Sequence, residues 1–222
     1  MTEGRRGLFI SFEGTDGSGK STQMRLLAQR LRASGYPVLE SAEPGGTPIG
    51  LQIRRILLDS ANEEMAPITE LLLMFASRAQ ATAQWLEPAL ARGEIVLSDR
   101  YTDSSLAYQG EARGLGFDTV LKLHGLLLGD LQPDLTLCIE VDVEEGLARA
   151  HGRNRSEVAG LSRETRLDQQ SLEFYRRVLD GYRKIASLEP DRFRIVDGRG
   201  DPETIANRVW AEVEPLLPRS SR

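Results

Sequence analysis

The feature of this chain that most constrains its fold is a glycine-rich loop set between a strand pattern and a helix pattern. Residues 14–21 read Gly-Thr-Asp-Gly-Ser-Gly-Lys-Ser and match the pattern G-x-x-x-x-G-K-S/T in full. The apolar run at 8–12 precedes the loop, and residues 21–33 follow it with the apolar period of a helix. The combination predicts a strand, a tight loop and a helix in direct succession.

This loop has the composition of a phosphate cradle. Its glycines allow the backbone to wrap closely around phosphate oxygens with N–H groups pointing inward, and the helix that follows adds the positive end of its dipole. Lys20 is expected to reach the β- and γ-phosphates of a nucleotide, and the Ser21 hydroxyl to ligate Mg²⁺. The predicted ATP-binding residues of the loop are Gly14, Thr15, Asp16, Gly17, Ser18, Gly19, Lys20, Ser21 and Thr22.

Short apolar strand patterns alternate with longer helical patterns along the chain. This alternation predicts an α/β fold of the P-loop NTPase class, with three α/β/α layers and a five-stranded parallel sheet. The 222 residues fit a single domain, 1–222. The predicted strands are 8–12, 38–40, 95–98, 135–141 and 193–196. The predicted helices are 21–33, 49–58, 68–91 and 202–217, with Met24, Leu27 and Leu31 inward in the first and Leu72, Phe75, Ala79 and Leu86 on one stripe of the third.

Composition and charge exclude several classes of function. The formal net charge is -5, so no basic excess favours binding to nucleic acid. No apolar stretch reaches the roughly 20 residues that span a membrane, and the first residues lack the apolar core of a signal peptide. The one cysteine, Cys138, lies in an apolar run and is predicted to be a buried strand residue. We therefore expect a cytoplasmic protein without nucleic-acid or membrane partners.

A second cluster of polar residues follows the third predicted strand, at Asp99-Arg100-Tyr101. Ligands of open α/β sheets bind at the carboxyl ends of the strands. A carboxylate at this edge can organise Mg²⁺ and its waters, and an arginine can clamp a phosphate with two hydrogen bonds. A surface ion pair at the end of a strand is the alternative interpretation of the same residues.

The reaction class follows from what accompanies the glycine-rich loop. A GTPase would normally add an Asn-Lys-x-Asp signature, which is absent, and a motor or ATPase would usually be longer. Small size and a cluster of arginines after the fourth strand favour a kinase of small molecules. Two alternatives stay open at this point: a kinase for one of several nucleoside monophosphates, and a non-catalytic nucleotide-binding switch.

Four segments together resemble the thymidylate kinases, in matching order and spacing over about residues 8–196. They are Phe12-Glu13-Gly14 with the glycine-rich loop, Glu43-Pro44-Gly45-Gly46-Thr47, Asp99-Arg100-Tyr101 and Ala107-Tyr108-Gln109-Gly110. The resemblance implies a nucleotide-kinase fold, a homodimer, and Mg²⁺ with ATP as co-substrate. It also implies dTMP as the acceptor of the γ-phosphoryl group, with dTDP and ADP as products and dTTP synthesis as the role.

The resemblance also implies roles for individual residues. Arg54 and Arg100 would bind the dTMP phosphate, and Asp16 would hold the sugar hydroxyl or the phosphate region. Arg78 would hydrogen-bond the thymine edge, and Tyr108 would crowd the ribose 2′ position and favour deoxyribose. The residues that would help to seat the base are Ser105 and Gln109, which share a face if that stretch is helical.

The chain departs from the family pattern at two positions. The family usually carries an aromatic residue four positions before the arginine that corresponds to Arg78, where it stacks on the base. Here that position is Met74, and the neighbouring phenylalanine, Phe75, lies about 100° around a helix. Both Met74 and Phe75 are placed among the substrate-binding residues: either Met74 supplies a softer sulfur contact, or the helix registers differently and Phe75 contacts the base. Phe75 as a plain core residue is the alternative. Ala42 stands where many members carry arginine.

The arginines after the fourth strand are expected to form a lid over ATP, at about 150–166. A solvated basic face is the alternative. Because the glycine-rich loop contains no arginine, the chain resembles the bacterial type of the family, which carries this charge in the lid. Arg153 is the first choice for contact with the transferred phosphate, with Arg155 and Arg163 next. By position, Arg149 resembles the residue that packs on adenine, and Arg166 and Asp168 resemble the hinge end of the lid.

Overall fold

A five-stranded parallel sheet forms the centre of the computed structural model, which describes residues 6–156, 166–167 and 170–217. The strand order is β2-β3-β1-β4-β5, and every neighbouring pair runs parallel. The predicted five-stranded parallel sheet is therefore confirmed. The strands are β1 Phe9–Glu13, β2 Val38–Ala42, β3 Ile95–Asp99, β4 Leu135–Glu140 and β5 Phe193–Asp197.

Helices connect the strands and cover the sheet. They are α1 Lys20–Ala33, α2 Pro48–Leu58, α3 Pro67–Ala81, α4 Glu87–Ala91, α5 Thr102–Ser105, α6 Phe117–Leu128, α7 Val143–Ser156, α8 Leu172–Leu188 and α9 Pro202–Val213. Two π-helical turns occur at Thr82–Leu86 and Leu106–Ala112, and short 3₁₀ turns at Ser60–Asn62 and Glu214–Leu216. In the described part of the chain, no helix is both long and apolar enough to cross a membrane.

Two apolar cores lie on opposite faces of the sheet, because successive strand side chains point in opposite directions. Phe9 belongs to the core under α3, α6 and α8, whereas Ile10 and Phe12 belong to the core under α1 and α9. Of the apolar residues predicted to face inward from the first helix, Met24, Leu27 and Leu31 are all buried. Cys138 is buried in β4, as predicted.

The long helix predicted at 68–91 differs from the structure in two respects. It is interrupted by the π-helical turn Thr82–Leu86, which precedes Pro88, a residue without the amide that a regular helix would need there. The buried stripe passes through Leu71 and Phe75, whereas Leu72 is 49% exposed. The stripe predicted to include Leu72 is therefore shifted by one residue at this point, and Arg78 lies on the buried side of the same helix.

The topology brings the predicted functional segments to one edge of the sheet. β1 is central, between β3 and β4, so the glycine-rich loop that follows it lies beside the carboxyl ends of both neighbours. β2 pairs with the other side of β3, so the segment after Ala42 lies next to Asp99. This edge is where open α/β sheets bind their ligands.

Candidate active site

The glycine-rich loop is held in a conformation that requires glycine at two tight points. Gly14 and Gly17 have φ values of 131° and 79°. A Cβ atom at Gly14 would lie 2.4 Å from the carbonyl oxygen of Ile139, and one at Gly17 would lie 1.8 Å from that of Gly146. The loop is therefore packed directly against the end of β4 and the first turn of α7.

Lys20 begins α1 directly after this loop. Its side chain is buried, and Nζ donates to the carbonyl oxygen of Thr15 at 3.3 Å and lies 3.6 Å from Oδ1 of Asp16. Burial lowers the pKa of Lys20, and the charge of Arg100 lowers it further, against the opposing effect of Asp16. An ammonium group desolvated in this way gains from a negatively charged ligand such as a phosphate.

Two oxygen ligands meet across the loop and β3. The hydroxyl of Ser21 donates to Oδ2 of Asp99 at 2.5 Å. A hydroxyl and a carboxylate are hard oxygen donors, the ligand type that Mg²⁺ prefers, and Mg²⁺ commonly takes only one or two protein ligands beside substrate phosphates. In the described residues, no cluster of three His, Cys, Asp or Glu side chains forms an all-protein metal site. The pair therefore fits Mg²⁺ bound together with a nucleotide.

Arg100 lies between the loop and the acceptor side of the site. Its Nη2 donates to Oδ1 of Asp16 at 2.7 Å and to the hydroxyl of Tyr108 at 3.2 Å, and its Nη1 donates to Ser104 Oγ at 3.0 Å. Burial by itself raises the pKa of Asp16, but the charges of Arg100 and Lys20 outweigh it and lower the pKa below its usual value. Asp16 is thus an anion held between two cations.

A polar cavity of about 340 Å³ opens above these groups. Three cationic side chains converge on it from different elements: Lys20 from α1, Arg54 from α2 and Arg100 from the end of β3. Arg54 is oriented by a hydrogen bond from Nη1 to the carbonyl oxygen of Pro44 at 3.0 Å. Asp16, Gly17, Gly19, Ser21, Thr22, Ala42, Glu43 and Asp99 complete its lining.

A narrow cleft of about 40 Å³ adjoins this cavity, with Glu43 and Arg100 in both linings. The predicted base-facing residues Met74, Arg78, Ser105, Tyr108 and Gln109 meet in this cleft. Ser105 and Gln109 both line the cleft, although Ser105 ends α5 and Gln109 lies in the π-helical turn Leu106–Ala112 rather than in a continuous α-helix. Pro44, Ser104 and Leu167 complete the lining.

Arg78 is fixed in the wall of the cleft. It is 2% exposed, and its Nε donates to Oε2 of Glu43 at 2.6 Å. Nη1 donates to Ser105 Oγ at 3.1 Å, and Nη2 to the carbonyl oxygen of Tyr101 at 3.0 Å. Burial raises the pKa of Glu43, against the opposing charge of Arg78. The position of the guanidinium is therefore set by three protein acceptors before any ligand binds.

The structure separates the two residues that the sequence left as alternatives beside the base. Met74 lines the cleft. Phe75 is fully buried in the core, where its ring lies 4.8 Å below the guanidinium of Arg78. The placement of Phe75 among the substrate-contacting residues is corrected accordingly, because adjacent helical residues point about 100° apart. Phe75 instead supports Arg78 from behind.

Comparisons with known proteins agree with this geometry. The family model described as thymidylate kinase matches residues 12–209. A thymidylate kinase from Thermomicrobium roseum is 49% identical over 96% of this chain and 98% of its own, and one from Pelobacter propionicus is 47% identical over 93% and 94%. A crystal structure of thymidylate kinase from Ehrlichia chaffeensis superposes with a TM-score of 0.75 at 31% identity, covering 94% of this chain and 99% of that one.

The chain belongs to the thymidylate kinase family. The family predicted from four short segments is therefore confirmed, and so are the P-loop NTPase fold class and the enzyme class. The family activity, phosphoryl transfer from ATP to dTMP, is the one expected from the sequence. A nucleotide-binding switch without turnover is not favoured by these relatives.

The arginines predicted to form a lid fall mostly outside the described residues. The side chains of Arg153 and Arg155 and the whole of Arg163 and Asp168 lie outside them. Arg149 is exposed and pairs with Glu145 through a 2.5 Å contact between Nη2 and Oε1.

Arg166, predicted at the hinge end of the lid, is 3% exposed. Its Nε donates to the carbonyl oxygen of Leu57 at 2.5 Å, and its Nη2 lies 2.7 Å from Oε2 of Glu70. It is thus turned into the protein rather than toward solvent.

Four residues of the site were not foreseen from the sequence. Glu13 and Tyr182 meet beneath Arg100, since the Tyr182 hydroxyl donates to Glu13 Oε2 at 2.9 Å. Tyr175 donates its hydroxyl to Oδ2 of Asp16 at 3.1 Å, and Glu70 accepts from Gln109 at 2.8 Å. For Glu13 a signal was present, because it is the one charged residue of a short, mostly apolar run and directly precedes the glycine-rich loop.

Proposed function

We propose that this chain transfers the γ-phosphoryl group of Mg²⁺-bound ATP to dTMP, and that individual residues have the roles given below. The observation that carries the proposal is the convergence of Lys20, Arg54 and Arg100 on one cavity. This cavity continues into a narrow cleft to which, among the described residues, Arg78 is the one cation added. A phosphate group fits the cationic cavity, and a planar uncharged base fits the cleft. Two phosphates brought together need such positive charge, since phosphoryl transfer depends mainly on positioning and electrostatic stabilisation.

The donor nucleotide is held by the glycine-rich loop. Backbone N–H groups of Gly17 to Gly19 and the N-terminus of α1 bind its phosphates, and Lys20 reaches the β- and γ-phosphates. Ser21 and Asp99 would hold Mg²⁺, which would supply positive charge to neutralise the phosphates. Thr22 lines the same cavity one residue further along α1.

The acceptor phosphate lies between Arg54 and Arg100. Arg100 is suited to this because Asp16, Ser104 and Tyr108 fix its guanidinium at 2.7 to 3.2 Å while part of the group faces the cavity. Asp16 accepts a hydrogen bond from the sugar hydroxyl of the acceptor, in addition to those from Arg100 and Tyr175. Tyr108 limits the space at the 2′ position, because its ring lies 4.9 Å from the Arg100 guanidinium.

The base is read in the cleft by Arg78, Ser105 and Gln109 and packed by Met74. The thioether of Met74 takes the place of the aromatic ring found in many relatives and offers a polarizable contact to the ring face. Arg153, Arg155 and Arg163, in the lid at about 150–166, supply further charge to the transferred group, and Arg149 packs on adenine.

We further propose a single domain, 1–222, that forms a homodimer in the cytoplasm. Exposed apolar side chains on three neighbouring helices support the dimer. They include Ile56 on α2, Leu72 on α3 and Leu126 on α6, which are 49%, 49% and 80% exposed. Apolar surface of this kind marks an interaction site when it is contiguous.

An ADP-release assay over a panel of nucleoside monophosphates tests the function. We expect dTMP to be the preferred acceptor over dUMP, dCMP, dAMP and dGMP, with turnover dependent on Mg²⁺. Lys20→Ala should fold and lose most turnover, whereas Lys122→Ala, an exposed lysine on α6, should not. Preference for another monophosphate, or near wild-type turnover in a folded Lys20→Ala variant, would overturn the proposal.

A further inference from the structure

The backbone at Arg100 has an unusual conformation. In the described part of the chain, Arg100 is the one non-glycine residue with a positive φ, 74°. A residue with a Cβ atom adopts this left-handed region at a cost and remains there only when its surroundings hold it. The position is critical, because the same residue directs its guanidinium into the phosphate cavity.

The carboxylate of Glu13 holds this turn. Glu13 ends β1, is fully buried, and lines neither the phosphate cavity nor the base cleft. Its Oε1 accepts from the backbone N–H of Tyr101, the residue after the left-handed one, at 2.8 Å. Its Oε2 accepts from the hydroxyls of Ser104 at 2.5 Å and Tyr182 at 2.9 Å. One side chain thus gathers donors from the loop after β3, from α5 and from α8.

The same two hydroxyls also contact the guanidinium of Arg100. Nη1 of Arg100 donates to Ser104 Oγ at 3.0 Å and to Tyr182 Oη at 3.4 Å. A guanidinium cannot accept, and a carboxylate cannot donate. When Glu13 is ionised, the direction of the chain is therefore fixed: Arg100 donates to Ser104, and Ser104 donates to Glu13. Glu13 reaches Arg100 both through the backbone and through its side chain.

From these contacts, and resting on the proposed function, we infer that Glu13 is a positioning residue that aims the Arg100 guanidinium at the acceptor phosphate. Burying this carboxylate is costly, and the donors that compensate for it belong to the turn and the hydroxyls that hold Arg100. That cost is visible in the raised pKa of Glu13, about 7, caused first by burial and then by the nearby charge of Asp103.

The test compares ligands that differ only in the phosphate that Arg100 is proposed to bind. Calorimetric affinities for dTMP and thymidine give the gain in binding that the phosphate supplies. In Glu13→Ala we expect dTMP affinity to fall about tenfold or more, with thymidine affinity and the KM for ATP close to wild type. Glu13→Gln should recover only part of the loss, because its amide oxygen still accepts from the N–H of Tyr101 whereas its NH2 group cannot accept from Ser104 and Tyr182.

A double-mutant cycle separates positioning from general damage. If Glu13 acts through Arg100, then Glu13→Ala should add little to the loss of dTMP affinity in an Arg100→Ala background. The matched control is Asp103→Ala. Asp103 lies on α5 and, like Glu13, is a buried carboxylate, but its hydrogen-bond partners are Arg192 and Thr136 rather than groups that contact Arg100. That variant should lose stability and keep the ratio of dTMP to thymidine affinity.

An unchanged ratio of dTMP to thymidine affinity in a folded Glu13→Ala variant would overturn the inference. If Glu13→Ala does not fold, Tyr182→Phe replaces it. This variant removes one donor to Glu13 and should lower the ratio about threefold, and an unchanged ratio there would overturn the inference equally. A wild-type protein that binds thymidine as tightly as dTMP would instead contradict the proposed function, so the two failures are distinguishable.

Discussion

The side-chain amide of Gln109 donates from Nε2 to Oε1 of Glu70 at 2.8 Å, and both side chains are buried. A carboxylate only accepts, so this contact fixes the orientation of the amide and leaves its carbonyl oxygen as the group available to a ligand. Burial alone would raise the pKa of Glu70, but the hydrogen bond from Gln109 and the charges of Arg113 and Arg166 lower it overall. Glu70 therefore stays ionised and the amide stays oriented.

This orientation predicts selection for a base with an N–H donor at its edge. Thymine presents such a donor at N3, whereas cytosine presents an acceptor. Gln109→Leu should raise the KM for dTMP about threefold to tenfold, the range expected for one hydrogen bond, and should narrow the preference for dTMP over dCMP. Steady-state kinetics with both acceptors measure this, with Gln80→Leu on the exposed face of α3 as the control. An unchanged preference would remove Gln109 from base recognition.

The parts of the site that are contiguous in sequence, such as the glycine-rich loop, were predictable, whereas contacts between distant residues, such as those of Glu70, were not. Lys20, Ser21 and the loop glycines form one contiguous segment, and the spacing of these residues along the chain is enough to predict the conformation of the loop. Glu70 and Gln109 are 39 residues apart, and Glu13 and Tyr182 are 169 apart. Nothing local in either partner indicates the other, because the pairs exist only once the strands and helices have packed.

For residues in helices, the sequence did not establish which side of the helix faces the site and which side faces the core. Met74 and Phe75 were both candidate base contacts, and only the position of Met74 in the cleft and the full burial of Phe75 decided between them. The π-helical turns at Thr82–Leu86 and Leu106–Ala112 shift the phase within a helix, and no composition rule marks them beyond Pro88 after the first. The central strands were easier to predict, since β1, β3 and β4 are short runs buried on both faces and need no choice of phase.

The ring of Tyr108, rather than its hydroxyl, should determine the choice of sugar. The ring lines the cleft, whereas the hydroxyl accepts from Arg100 at 3.2 Å. Tyr108→Ala should therefore narrow the preference for dTMP over the same nucleotide with a 2′-hydroxyl, and Tyr108→Phe should retain it. The measurement is kcat/KM for the two acceptors. A wild-type enzyme indifferent to the 2′-hydroxyl, or a Tyr108→Phe variant that loses the preference, would contradict this role for the ring.

The raised pKa of Glu13 predicts a specific dependence of stability on pH. In the folded chain the pKa is about 7, above its value of 4.5 in the absence of burial. Between these values the folded state holds a proton that the unfolded state has released, so the free energy of unfolding falls as pH rises. Glu13→Gln lacks this titration, and its stability relative to wild type should therefore increase by about 3 kcal/mol from pH 4.5 to 7 and then level off.

Urea unfolding of the two proteins at several pH values tests this, because the other titrating groups cancel in the difference. The charged and titratable groups that face Glu13 from the surrounding elements are Lys20, Arg100, Tyr101, Asp103, Tyr108, Cys138, Tyr182 and Arg192. A difference in unfolding free energy that is constant with pH would show that Glu13 titrates at its ordinary value and that its burial is offset by these neighbours.

The lid arginines are expected to act at the transition state. The glycine-rich loop supplies Lys20 but no arginine, so part of the charge on the transferred group must be stabilised from another segment. If Arg153 makes its contact only in the closed complex, Arg153→Ala should lower kcat and kcat/KM alike, by up to about 10³-fold, the scale of an arginine finger. Arg155→Ala and Arg163→Ala, measured in the same way, identify which arginine carries the role.

Measuring kcat and the KM for ATP separately distinguishes an arginine that acts in the transition state from one that only binds ATP. An arginine that already holds ATP in the ground state and keeps the same contact in the transition state would, when removed, raise the KM for ATP and leave kcat unchanged, because both states lose the same interaction. Arg176→Ala is the control, since Arg176 is an exposed arginine on α8 paired with Glu144. If all three lid variants behaved like this control, the segment would be a solvated basic face, and the charge would have to come from Lys20, Arg100 and the bound metal alone.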